Sequence, residues 1–240
     1  MLADLLDLVF PVGCGGCGRP GPAWCGSCAG LLDRPMPHRP RPSPPGMPPL
    51  WVAGRYEGEV RSALLAYKER GRRELAGPFG AALAGAVRRT CPTGPGGTEL
   101  VLIPVPSRRS VARARGGDHV RRLARHAATA LSVDGLAVVV VTALRVRGRP
   151  RDSAGLSAAA RSANLAGVLT VASGTAACSG RTVVVVDDLV TTGATLVEAA
   201  RALRDAKIDI TACAAVAATP RRPQSLRRDR QRVSGEPQPD

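Results

Sequence analysis

Aromatic residues are scarce in this chain of 240 residues, supplying 2% of it, with two each of Trp, Tyr and Phe. That scarcity leaves only Trp24, Trp51, Tyr56 and Tyr67 for stacking, too few to make a recognisable base-reading surface. It also means that valine, alanine and leucine must fill the core; at 44%, apolar residues are numerous enough to do so, and the mixture suits a parallel sheet covered by helices on both faces. Lysine is nearly absent, being found only at Lys68 and Lys207, although the formal net charge is +15. The cations are therefore almost all arginines, which suit a polyanionic partner, while the wealth of Arg, Ala, Gly and Pro also fits a GC-rich coding bias. No run reaches the ~18 to 20 apolar residues that span a bilayer, so a membrane-spanning helix is excluded. A G-x-x-x-x-G-K-[ST] loop is missing too, which excludes a Walker-type nucleotide site. No internal repeat is found.

The opening stretch "MLADLLDLVF" lacks a basic n-region and carries Asp4 and Asp7, unlike a signal peptide. Leu2, Leu5, Leu6 and Val9 share a helical face there, which predicts a short amphipathic helix. The expected location is the cytoplasm, with reduced thiols. In that setting, "CGGCGRPGPAWCGSC" stands out, because Cys14, Cys17, Cys25 and Cys28 form two C-x-x-C pairs. Glycines within the pairs permit tight knuckles, and four thiolates make a closed tetrahedral Zn²⁺ site of the structural kind. A redox pair or disulfides fit a doubled motif in a reducing compartment less well. Cys91, Cys178 and Cys213 are scattered and read as small buried apolar residues.

Residues 1–32 thus form a zinc-binding, zinc-ribbon-like module, and residues 33–49 follow as a proline-rich linker with eight prolines, unable to be helix or interior strand. Over 50–219, strand and helix patterns alternate. "WVAGRY", "ELVLIPV", "AVVVVTAL", "GVLTV", "RTVVVVDD" and "ITACAAVAA" read as strands, and helices are expected near 58–70, 73–89, within 110–131, and at 194–206. The alternation predicts an α/β fold with a mainly parallel sheet flanked by helices. Residues 220–240 read as a disordered basic tail. His119 and His126 fall seven residues apart on a helical face, a spacing that assigns neither a role.

The densest chemistry lies in "VVVVDDLVTTGATL", where four valines run into Asp187 and Asp188 and then into a loop of hydroxyls. In an open α/β sheet, ligands bind beyond the carboxyl ends of strands. A plain helix cap accounts for one aspartate but less well for two. Thr191, Thr192 and Thr195, the backbone around Gly193 and Ala194, and the helix start behind them form an anion cradle the size of a phosphate. Carboxylates beside it accept hydrogen bonds from a vicinal diol, and diol beside phosphate means ribose 5-phosphate.

The stretch from Val183 to Thr195 resembles the phosphoribosyl pyrophosphate (PRPP) loop of type I phosphoribosyltransferases. With "YEGEVRSALLAYKERGRRELA", "IPVPSRRSVARARGGDHVRRLA" and "GLSAAARSANLAG" in order behind a four-cysteine module, the chain resembles the ComF family, linked to competence and DNA uptake. The family pattern has Arg-Gly-Phe-Asn-Gln where this chain has Arg115, Gly116, Gly117, Asp118 and His119. The resemblance implies a type I phosphoribosyltransferase-like fold and PRPP bound with Mg²⁺. Asp187 and Asp188 would hold the ribose as the catalytic pair, Thr191 to Thr195 the 5-phosphate, and Val105, Pro106, Ser107 and Arg108 the pyrophosphate. It further implies that residues 145–166, with Arg145, Arg147, Arg149 and Arg151, form a loop that closes over the site. Two functions stay open at this point: transfer of phosphoribose to an acceptor, or non-catalytic PRPP binding in a factor whose partners are single-stranded DNA or competence proteins.

Overall fold

Unbroken apolar runs build the centre of the sheet. The computed structural model describes residues 13–91, 99–107, 117–147, 167–172 and 175–220. Among these, β1 (Met36–Pro37), β2 (Leu50–Arg55), β3 (Leu100–Pro104), β4 (Val138–Val140), β7 (Thr182–Val190) and β8 (Ala212–Ala218) form one sheet in the order β1-β2-β8-β7-β3-β4. Only β1 runs antiparallel to its neighbour. Every residue of β3 and β8 is buried, as expected where helices cover both faces of a parallel sheet.

Side chains alternate faces along a strand, and β7 shows what each face carries. A single helical turn, α1 (Gly26–Ala29), belongs to the cysteine-rich segment ahead of the sheet. Val184 and Val186 join α2 (Gly58–Glu69), α3 (Ala76–Arg88) and α4 (His119–Val133) in one apolar cluster. Val183 and Val185 join α5 (Ala194–Asp205) in the other. Fully buried Phe79, Leu83, Leu123 and Leu203 are each worth roughly 1.5 to 3 kcal/mol on transfer from water. The α3–α4 contact is tight because of Gly80, where an added Cβ would lie 2.2 Å from that of His126.

Three expectations change. The run from Ala137 to Leu144 does not form one strand: β4 ends at Val140, and β5 (Leu144–Val146) pairs antiparallel with β6 (Leu169–Val171) in a separate ribbon. The Val141 N–H still bonds to the Leu102 carbonyl, but the next donor in that ladder falls on Pro104, which has none. Secondly, β7 does not stop at the acids, because β8 keeps pairing with it as far as Val190 and Ala218. Thirdly, residues 73–89 begin with a 3₁₀ turn, Arg73–Leu75, before α3.

The proline-rich segment 33–49 lies on the domain. It supplies β1 at the sheet edge, the position where proline is tolerated, and its Met36 and Met47 pack against the α5-side cluster. No helix among the described residues is long and apolar enough to cross a membrane. The amphipathic stretch at 1–10 and the tail beyond Pro220 lie outside the described residues.

Candidate functional site

Two neighbouring strands send their chains opposite ways. From β3 the chain passes through α4 on one face to β4, and from β7 it passes through α5 on the other face to β8. The carboxyl ends of β3 and β7 therefore frame a topological switch point, where open α/β sheets bind ligands. Val105 continues from β3 and donates its N–H to the Val186 carbonyl at 2.9 Å, so Pro106 and Ser107 lie beside the two acids.

Asp187 and Asp188 face opposite sides of the sheet and meet different surroundings. Asp188 is 3% exposed, pointing toward the helices α2 and α4. Its Oδ1 lies 2.8 Å from Lys68 Nζ, and its Oδ2 lies 2.5 Å from His119 Nε2, an ion-pair distance without hydrogen-bond geometry. Burial alone would raise its pKa, but the Lys68 ammonium and then His119 outweigh burial and hold the carboxyl well below its usual range. Asp187, half-buried, has its Oδ1 taken by the Asp188 N–H at 2.8 Å. Burial, and then the charge of Asp188, raise Asp187 above its usual range, against the pull of Lys68.

His119 joins these acids to the loop after β3. Its Nδ1 lies 3.1 Å from Ser107 Oγ, and its carbonyl accepts the Tyr67 hydroxyl at 2.9 Å. Asp118 caps α4 by accepting the Val120 and Arg121 N–H groups on Oδ1, and its Oδ2 accepts the Ser107 N–H at 3.2 Å. Sequence reasoning missed Lys68, Asp118 and His119 as members of this cluster. One signal was available: Lys68 is one of two lysines in an arginine-rich chain, and a compact ammonium suits a single buried carboxylate oxygen better than a planar guanidinium does. His126, on the same helix, is exposed.

On the far side of β7, Thr191 is exposed, Thr192 and Thr195 are half-buried, and Gly193 and Ala194 are buried at the start of α5. Gly193 adopts φ +76°, a left-handed conformation that costs glycine least, and a Cβ there would come within 3.0 Å of Pro40 Cγ. Thr192 Oγ1 accepts the Ala194 N–H at 3.4 Å, and the Gly193 carbonyl accepts the Val197 N–H, opening the helix with its amide groups turned toward the loop. Arg108, Arg149 and Arg151 lie outside the described residues, whereas Arg145 and Arg147 are on β5 and just beyond it.

The four cysteines Cys14, Cys17, Cys25 and Cys28 bring their sulfurs within 4.8 Å of one another, and Cys17 and Cys25 stand 3.7 Å apart. Zn–S bonds of about 2.3 Å in a tetrahedron put sulfurs about 3.8 Å apart, so the donor set fits zinc. The Cys14 thiol would be raised by burial, yet backbone N–H groups, chiefly that of Cys25, bring it down to about 6. The module is bound to the domain: Trp24 packs edge-on against Phe79 at 5.4 Å, Leu32 is in the core, and Arg72 Nη2 donates to the Gly13 carbonyl.

Two acids and a glycine-opened helix start thus meet at the switch point of an open α/β domain, the place where such folds take their ligands. The phosphoribosyl transferase domain family matches residues 96–235, more than half of the chain, and the chain belongs to that family. None of the curated proteins matches it.

Proposed function

We propose that the chain is a ComF-type protein that binds PRPP with Mg²⁺ at the switch point and transfers its phosphoribosyl group to an acceptor. The observation that carries this reading is the juxtaposition of Ser107, the adjacent acids and the Gly193 helix start, inside a family whose chemistry is phosphoribosyl transfer. Asp187 accepts the ribose diol, and Thr191 to Thr195 with the first amides of α5 receive the 5-phosphate. Ser107 receives the pyrophosphate. Mg²⁺ bound with PRPP would supply charge neutralisation for the linked phosphates.

The protein's own share of the work is positioning and charge. As the bond to pyrophosphate breaks, the ribose centre becomes oxocarbenium-like, and oriented dipoles with nearby carboxylates stabilise that charge. The four-cysteine module in front of the domain supports ComF membership, with zinc as its structural ion. A net charge of +15 favours single-stranded DNA as a partner in competence, with the reaction or without it. Calorimetric titration with Mg-PRPP tests the reading: saturable binding that free ribose does not compete is expected, and no heat at any PRPP concentration overturns it. Release of pyrophosphate from PRPP against bases, nucleotides and single-stranded DNA then separates transfer from binding alone.

A further inference from the structure

α3 has no polar side chain from Ala76 to Val87, and a helix that is apolar all round is one that other elements cover. Phe79, Leu83 and Val87 are fully buried against the core, but on the other side of the helix Pro78 and Ala82 are only half-buried and Ala81 is exposed. That side and the cysteine module enclose a groove of about 290 Å³, lined by Trp24, Leu32, Pro78, Ala81, Ala82 and Gly85. Among the described residues, Asp33 is the one charged group in its lining.

A second unpartnered apolar face lies in the sequence just ahead. Leu2, Leu5, Leu6 and Val9 recur at helical spacing, with Asp4 and Asp7 on the opposite side. Pro11 disfavours the helical conformation at Phe10, so the periodic part ends at Val9, and Phe10, Pro11 and Val12 are left as a tether. A helix of eight residues is too short to stand alone in water and needs a surface for its apolar side. The tether leads to the groove. The Gly13 carbonyl accepts from Arg72, just before the turn that opens α3, and an added Cβ on Gly16 would lie 2.9 Å from Trp24 Cζ3. Three extended residues reach about 10 Å. Residues 2–9 make a helix about 12 Å long, and α3 from Pro78 to Gly85 offers about 10 Å.

We propose that residues 2–9 fold back as a helix into the groove between the cysteine module and α3, setting Leu2, Leu5, Leu6 and Val9 against Trp24, Pro78 and Ala82. Its carboxyl end is tethered beside the start of α3, so it runs antiparallel to that helix. The occupant is the chain's own segment and not a second copy, because so short a tether gives an effective concentration in the millimolar range, which a separate copy at micromolar concentration does not match. A membrane surface fits the segment poorly, since its outer face carries Asp4 and Asp7 where interfacial helices carry Lys and Arg.

The test reads Trp24 in the zinc-loaded chain carrying Trp51→Phe, which leaves one indole. Deleting residues 1–10 should increase acrylamide quenching and move the emission to longer wavelength. Leu5→Asp with Leu6→Asp in the full chain should reproduce both changes, and this variant carries the test if the shortened chain does not fold. A synthetic peptide of residues 1–11 added to the shortened chain should reverse the changes saturably, whereas the peptide with both Asp substitutions should not. Equal quenching in the full chain, the shortened chain and the double variant overturns the inference. Protection of Trp24 that is lost on dilution, together with a dimer in sedimentation, overturns it too and gives the groove to a second copy.

Discussion

Asp187 and Asp188 differ by one position and therefore by one face of the sheet, and this separates what each carboxylate can do. Asp188 is held between Lys68 and His119 on the buried side, while Asp187 stays half-buried beside the loop. Asp187→Asn should fold at neutral pH with at least wild-type stability, because an amide oxygen keeps its local backbone bond and the cost of an acid held above its usual range beside Asp188 is removed. Its PRPP affinity should drop about tenfold or more by titration calorimetry, the loss of one charge-assisted hydrogen bond being worth roughly 1.5 to 3 kcal/mol. Asp188→Asn should instead cost stability in urea unfolding, about 1 to 3 kcal/mol, since it leaves the half-buried Lys68 ammonium without its carboxylate. The pH dependence follows from the same pair. The Asp188 carboxyl sits below its unfolded value, so its contribution is complete above about pH 4 and is lost as pH falls further. Wild type should keep its gap to Asp188→Asn from pH 6 to about pH 4 and close on it only below that, as urea midpoints are measured down to about pH 2. A constant gap across that range would remove the ion pair from the explanation.

At the scale of elements, the sequence was legible where one element explains its own residues. The valines of β7, the alanines of β8 and the amphipathic α5 announce a covered parallel sheet, and the Thr-Gly turn between Val190 and Ala194 follows from the need for a left-handed residue. What stayed hidden depends on two elements meeting. Lys68 closes α2, His119 opens α4, and no spacing in sequence brings them to the same carboxylate on β7. The split of residues 137–146 was likewise invisible, because it is decided by a missing N–H on Pro104 of another strand. The cysteine module belongs with the second group: its spacing fits a metal site, but its packing on Phe79 and Leu75 is a tertiary fact. That packing gives a prediction. Removing zinc with a chelator, or replacing Cys25 by Ser, should lower the melting temperature of the whole domain, because Trp24 and Leu32 then lose their fixed positions against the core. Calorimetry should show one transition moving down; an unchanged main transition with only a small separate event lost would mean that the module is an independent appendage.

For the whole molecule, the charge of +15 is large for 240 residues, and within the described part many arginines already have partners. Arg201 is committed to Glu198 and Asp205, Arg181 to Glu99, Arg72 to Glu74, and Arg88 to Asp134. These pairs neutralise cations around the domain without using up the excess, since acids number 19 against 34 basic residues. Surface pairs of this kind contribute little stability, typically 0.2 to about 1 kcal/mol, so the unmatched remainder is a matter of partners and not of folding. Seven arginines fall between Arg108 and Arg125, and six more between Arg221 and Arg232. If these groups meet the phosphates of single-stranded DNA, counterions are released. In that case log affinity should fall linearly with log salt, with a slope of roughly 0.7 for each phosphate neutralised. Deleting residues 221–240 should then make the salt dependence shallower, in proportion to the phosphates that the tail neutralises. PRPP binding should stay unchanged, because the site at the β3–β7 switch point is built from other elements. Fluorescence anisotropy with a labelled oligonucleotide, read at salt concentrations from about 50 to 200 mM, measures both slopes. A slope near zero in the full chain would mean that the basic excess reflects composition, and that the acceptor and partners of this protein must be sought among small molecules.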